Sequence, residues 1–310
     1  MNKIIISIKS SYSWIGLSVL LLYLTSCSSI LNTSKIHHLT TSYCEPTCAY
    51  NYTFVNKESK LTTQQDSLLR LVLSPQNYFL SQTIGIQNHI ASLLECEKDT
   101  LKALLTHQEI NDRITLYLIE IDALAAELDC YAERLDQLSH YVDAINEKTQ
   151  KRITILSVTL DAAATASAIF TANPFIAVGG GLASIGLSAL TISPKGKRVD
   201  IQHKRNLLRN IWYNDNSGKE FPHSIWLIIN NPDFCNIPEK SIREGLKERW
   251  MHLEFEGDID SETVKLFFGD GGLYTASDLH DRAHLVKELK AMVNTLKQDL
   301  RSLRAALNAI

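Results

Sequence analysis

The chain has 310 residues, with 31 Lys and Arg against 34 Asp and Glu and a formal net charge of -3 at pH 7. No basic excess marks a nucleic-acid partner, and 45% hydrophobic residues with only seven prolines is not the composition of a disordered chain. The composition fits a globular, mainly helical protein, long enough for one large domain or two smaller ones.

Lys3 and Lys9 open the chain with positive charge, and Trp14 to Leu24 forms a short apolar core. That core is about half the roughly 20 residues a bilayer-spanning helix needs. Thr25 and Ser26 then place small residues directly before Cys27, which completes the layout of a signal peptide. Leu24-Thr25-Ser26-Cys27 resembles the lipobox of bacterial lipoproteins. The resemblance implies removal of residues 1–26, acylation of Cys27 and attachment of the mature chain to a lipid bilayer. Ser28, which is not acidic, implies onward export, so the expected location is the cell envelope, at the outer membrane ahead of the inner one.

With Cys27 lipidated, Cys44, Cys48, Cys96, Cys130 and Cys235 remain, an odd number. In an oxidising compartment Cys44 and Cys48 are the candidates for a small disulfide loop. Cys96 and Cys130 fall on expected helices and either join two antiparallel helices or stay buried as free thiols. Residues 27–62 are rich in Ser, Thr, Asn and His without a sustained apolar period, the texture of a flexible tether.

No proline lies between Pro75 and Pro174 and no glycine between Gly85 and Gly179, so the strongest helix breakers are missing over nearly a hundred residues. Ile114, Leu118, Ile121, Ala125, Leu128, Tyr131, Leu135, Leu138, Val142 and Ile145 recur at spacings of three and four, with one irregular step at Tyr131. This coiled-coil-like stripe predicts a long helix over 112–150. Thr106 to Asp112 is the expected turn that folds residues 76–105 back against it, with a single unbroken rod as the alternative. A second stripe, Val286, Leu289, Val293, Leu296, Leu300, Leu303 and Leu307, begins after the capping signal Thr275-Ala-Ser-Asp278. It predicts a C-terminal helix over 277–308 that packs along 112–150 or, in the other reading, self-associates.

Between them, residues 212–274 carry three of the four tryptophans and five phenylalanines, and read as a small mixed subdomain. Ser224 to Ile229, bounded by Pro222 and Pro232, has the composition of a strand or small hairpin, whereas Pro238 to Met251 reads as a helix.

Residues 153–192 run almost free of charge. Ile153 to Ala172 and Phe175 to Ile192 are each about long enough to cross a bilayer, Asn173-Pro174 interrupts them, and Lys148, Lys151, Arg152, Lys195, Lys197 and Arg198 flank them. The candidates for membrane insertion are Ile153, Leu156, Phe170, Phe175, Gly179, Gly180, Gly181 and Leu187. Asp161 opposes permanent insertion, so burial inside a bundle, entry into a membrane and an interface with another protein all stand as readings. An apolar hairpin of small residues between long helices resembles the layout of α-helical pore-forming proteins, which implies release of the hairpin on contact with a membrane.

Chemistry-bearing motifs are sparse. His280 and His284 stand one helical turn apart beside Asp281 and Glu288, yet lack a third metal ligand of clear spacing; the bland reading is a pair of surface histidines. No glycine-rich phosphate loop, nucleophile elbow or paired catalytic Cys and His is recognisable, so neither an enzyme nor a cofactor is expected. The expected architecture is mainly α. It comprises a signal peptide (1–26), a lipidated tether (27–62), an elongated helical bundle with the apolar hairpin (63–211), the mixed subdomain (212–274) and the C-terminal heptad helix (275–310). The expected role is a structural or interaction component of the envelope whose partners are the bilayer, through Cys27, and an envelope protein or a second copy; membrane permeabilisation is the alternative.

Overall fold

The computed structural model describes residues 30–41, 43–44, 61–95, 101–171 and 196–310; of residues 156, 157, 160, 161 and 163–171 it describes the backbone alone. Its elements are α1 (Ser34–Thr40), α2 (Thr63–Val72), α3 (Pro75–Thr83), α4 (Gln87–Glu95), α5 (Leu101–Thr171), β1 (Val199–Gln202), α6 (Leu207–Tyr213), α7 (His223–Ile229), a 3-10 turn (Pro232–Phe234), α8 (Ile242–Leu253), α9 (Ser261–Phe268), β2 (Gly271–Tyr274) and α10 (Ala276–Leu307). The protein is mainly α, with one two-stranded sheet of β1 and β2. The chain divides into two compact units: residues 34–144 with 200–310, and 145–199 with the residues before Ser34.

In the larger unit α10 runs antiparallel to α5. Lys287, Lys290 and Lys297 reach Asp136, Asp129 and Asp122 in turn, the last at 2.6 Å. As one helix is climbed the other is descended. Between these flanking pairs, Leu289, Val293, Leu296, Leu300 and Leu303 of α10 and Ile114, Ile121, Leu128, Leu135 and Leu138 of α5 are buried. Each such side chain contributes about 1.5 to 3 kcal/mol by leaving water, so the seam, rather than the exposed ion pairs, holds the two helices. Thr275 starts α10 with a capping box: its hydroxyl accepts from the Asp278 N–H while Asp278 accepts from the Thr275 N–H. Ser241 and Glu244 do the same for α8. Helix α3 packs on α10 and on α7.

Several expectations change. Thr106 to Asp112 is not a turn, because α5 continues through it; the Thr106 hydroxyl donates to the Lys102 carbonyl 2.9 Å away, and Ile110 and Ile114 keep the buried face going. Ser224 to Ile229 is helix α7, not a strand. Ser224, Ile225, Ile228 and Ile229 are all buried, a three-four pattern that tertiary packing favours over the β preference of the residues. The stretch read as a tether contains α1, whose Ile36 is buried. The aromatic-rich segment belongs to the larger unit. There Trp212 stacks on Phe268 at 4.1 Å between centroids, and Phe255 and Tyr274 meet Phe267 edge-on.

The sheet explains one glycine. Gly271 has φ +97, and a Cβ there would lie 2.1 Å from the Ile201 carbonyl oxygen, so only glycine lets β2 approach β1. In the smaller unit, the Asn146 side chain accepts from the Lys197 N–H at 2.8 Å, and Leu31 N–H donates to the Arg198 carbonyl at the same distance. Helix α5 carries Ile153, Leu156 and Phe170 to Thr171. Phe175, Gly179, Gly180, Gly181 and Leu187 lie outside the described residues, as do the side chains of Leu156 and Phe170. Among the described residues no helix is long and apolar enough to cross a membrane.

Candidate functional site

Glu127, Tyr131 and Arg134 follow one another at spacings of four and three, which puts them on one face of α5. The end of β1 and the loop after it bring His203, Lys204, Arg205 and Asn206 to that face, and the start of α10 brings Arg282. All belong to the larger unit.

Arg282 is fully buried. Its Nε donates to Tyr131 Oη at 2.8 Å, Nη2 to Asn206 Oδ1 at 2.9 Å and Nη1 to the Phe267 carbonyl. Asn206 passes its own two amide protons to the carbonyls of Phe267 and Gly269, at 3.1 and 2.9 Å. The His203 ring lies between two tyrosines, with Nδ1 3.3 Å from Tyr131 Oη and Nε2 2.7 Å from Tyr274 Oη.

Proton counting assigns the tautomer. Tyr274 spends its one hydroxyl proton on the Leu266 carbonyl, so Nε2 of His203 must donate to Tyr274. Nδ1 then accepts from Tyr131, which itself accepts from Arg282. The result is a one-directional chain from Arg282 through Tyr131, His203 and Tyr274 to a backbone carbonyl. Burial, followed by the positive fields of Arg282, Arg134 and Arg209, pushes the His203 pKa down to about 2, so the ring stays neutral. Burial also raises the Tyr274 hydroxyl.

Beside this chain lies a cavity of about 380 Å³, lined by Glu127, Tyr131, Arg134, His203, Lys204 and Arg205, by the apolar Leu128, Ile201 and Leu207, and by Thr40, Thr41 and Cys44 on its outer wall. Arg205 holds Glu127 with Nε and Nη2 at 2.7 and 3.3 Å, and also reaches the Glu220 carbonyl. Arg134 is 7% exposed and places its guanidinium over the Tyr131 ring, 4.9 Å from the centroid, while its Nη1 has no hydrogen-bond partner. Three cations against one carboxylate leave the lining positive.

A second buried polar group sits further toward the start of α5. Glu120 and Tyr117 are fully buried; Ser224 donates to Glu120 Oε2, and neither Glu120 Oε1 nor Tyr117 Oη has a partner. Burial raises the Glu120 carboxyl to about 7, partly offset by the Ser224 hydrogen bond.

The sites expected from sequence are placed as follows. Cys44 does not pair with Cys48; its disulfide is to Cys130, 86 residues away, with Cα atoms 5.7 Å apart. The reason is spatial: α1 brings Cys44 back to α5 at the cavity wall. Cys27, Cys48 and Cys96 lie outside the described residues, and Cys235 is a free thiol. His280 and His284 do not converge. His280 Nε2 faces Asp143 at 3.5 Å with the His140 ring edge-on to it, whereas His284 Nδ1 faces Glu254 at 3.7 Å. Among the described residues no three His, Cys, Asp or Glu side chains gather as metal ligands.

No local sequence pattern singles out Arg134 or His203. One signal was present for Arg282: extending the strict three-four spacing of the α10 stripe back from Val286 lands on Arg282 and then Leu279, so an arginine occupies a seam position. Tyr131 marked itself as the irregular step in the α5 stripe. Comparison of the chain with protein-family models, with curated proteins and with solved structures found no match.

Proposed function

We propose that the chain is a bacterial lipoprotein held in the envelope by acylated Cys27, and that its helical body is a non-enzymatic structural or interaction component. The observation that carries the interaction role is the exposed apolar side chains on α5: Leu101, Leu104, Leu105, Leu116 and Ile119 are each more than 40% exposed. Exposed leucine and isoleucine side chains recurring along a helix are what a partner helix or a second copy covers. The Cys44–Cys130 disulfide supports export, because such bonds persist in oxidising compartments.

Two measurements test the reading. Cys27→Ser should leave the chain unacylated and move the body from the membrane fraction to the soluble one; continued acylation at another residue overturns the anchor. Leu116→Glu with Ile119→Glu should reduce the size of the complex the protein forms in detergent extracts without lowering its melting temperature, and an unchanged size overturns the interaction role.

The alternative, a membrane-permeabilising protein using 153–192, is favoured by one feature. Ile155 and Val158, at the start of the apolar run, are 65% and 61% exposed, directly after Lys151 and Arg152.

A further inference from the structure

We infer that the cavity beside Arg134 is a binding site for a small organic anion, a carboxylate or phosphate ester on a compact apolar body. The inference goes beyond the interaction role of the body, since a soluble ligand would occupy a surface remote in kind from an apolar helix face.

Arg134 is buried, and one of its guanidinium nitrogens has no partner. Among the described residues no carboxylate pairs with Arg134, and a buried cation without one is costly, a cost that an anion in the cavity would offset. The carboxylate that lines the same cavity, Glu127, is engaged by both Nε and Nη2 of Arg205. Behind the wall, Arg282 adds a second buried cation whose hydrogen bonds go to a tyrosine hydroxyl, an amide oxygen and a backbone carbonyl, all of them neutral. His203 adds no charge because its two tyrosine neighbours and its burial hold it neutral. The potential inside the cavity is therefore positive, and the exposed Lys204 at its rim extends that field to solvent.

Shape and lining specify the rest of the ligand. A volume of about 380 Å³ falls at the small end of ordinary ligand sites, of the size that takes a single ring or a short chain with one charged head. Leu128, Ile201 and Leu207 offer apolar contact for that body, while Arg134 and Lys204 supply positive charge for a carboxylate or phosphate head. Thr40, Thr41 and Cys44 form one wall, and the Cys44–Cys130 disulfide fastens that wall to α5.

The test is calorimetric titration of the purified full chain in detergent with phenyl phosphate and, separately, with benzoate, at low ionic strength. The expected result is one site per chain for at least one probe, and the probe that binds identifies the head group as phosphate or carboxylate. Arg134→Gln should weaken that binding at least tenfold. Lys204→Glu, an exposed change that leaves the fold intact, should weaken it at least threefold, and reduction of the disulfide should weaken it as well. No binding of either probe at about 10 mM, or full affinity in both Arg134→Gln and Lys204→Glu, overturns the site; should Arg134→Gln fail to fold, an unchanged affinity in Lys204→Glu alone does so.

Discussion

Two buried polar clusters lie against α5, around Arg282 of α10 and around Glu120, and they meet the cost of burial in opposite ways. The Arg282 cluster gives each nitrogen of Arg282 a named acceptor and runs on from Tyr131 through His203 and Tyr274 to the Leu266 carbonyl. The Glu120 cluster leaves Glu120 Oε1 and Tyr117 Oη without partners, and its carboxyl responds by holding its proton to about pH 7. A satisfied network ties α5, α10 and the β1–β2 sheet to one another in a single arrangement. The unsatisfied one makes stability fall as pH rises.

The largest expected effect breaks the first cluster. Arg282→Leu leaves Asn206 Oδ1 and Tyr131 Oη without their donor in a dry seam, takes one of two donors from the Phe267 carbonyl, and should cost about 3 to 5 kcal/mol, read from urea denaturation. If the loss stays below about 1 kcal/mol, the cluster holds nothing together. Next, replacing Cys44 and Cys130 by Ala releases a long loop and should cost about 2 to 4 kcal/mol by the same measurement.

The second cluster is sharpened by pH. The folded-state pKa of Glu120 is raised above the unfolded value, so the unfolded chain loses its proton first as pH rises. Stability should therefore fall between about pH 4.5 and 7 and level off above. Glu120→Gln keeps a partner for Ser224 and carries no charge. It should match the parent near pH 4 and exceed it by about 2 to 3 kcal/mol at pH 8. His203 acts in the opposite sense: its folded pKa is depressed, so its contribution is present above pH 6.5 and is lost as pH falls below that value. Between about pH 4.5 and 6.5 the two slopes oppose one another, and only the Glu120→Gln variant exposes the histidine slope alone. The smallest effect is at the surface, where Lys297→Ala, breaking the exposed pair with Asp122, should cost no more than about 1 kcal/mol.

The same contrast explains what could be read from the sequence. The α10 helix, its Thr275–Asp278 cap and the apolar faces of α5 and α10 were legible because local spacing encodes them. Thr106 to Asp112 misled because Thr, Asn and Asp suit turns, yet a hydroxyl bonded to the preceding turn of helix is equally at home inside one. The isoleucines of α7 carry β preference that three-four burial overrides. The cavity was hardly legible at all. Its parts come from α1, α5 and the segment from β1 into α6, up to 167 positions apart between Thr40 and Leu207, and no local pattern links Cys44 to Cys130 or Arg134 to His203.

The central claim, that the body works by interaction and does not breach a membrane, is tested most directly with dye-loaded lipid vesicles. The Cys27→Ser chain, free of acyl groups, is added over a wide range of protein concentration. The account predicts that the vesicles keep their dye throughout. Leakage that Gly180→Asp abolishes, with the helical body still folded by circular dichroism, would contradict it and assign the function to residues 153–192.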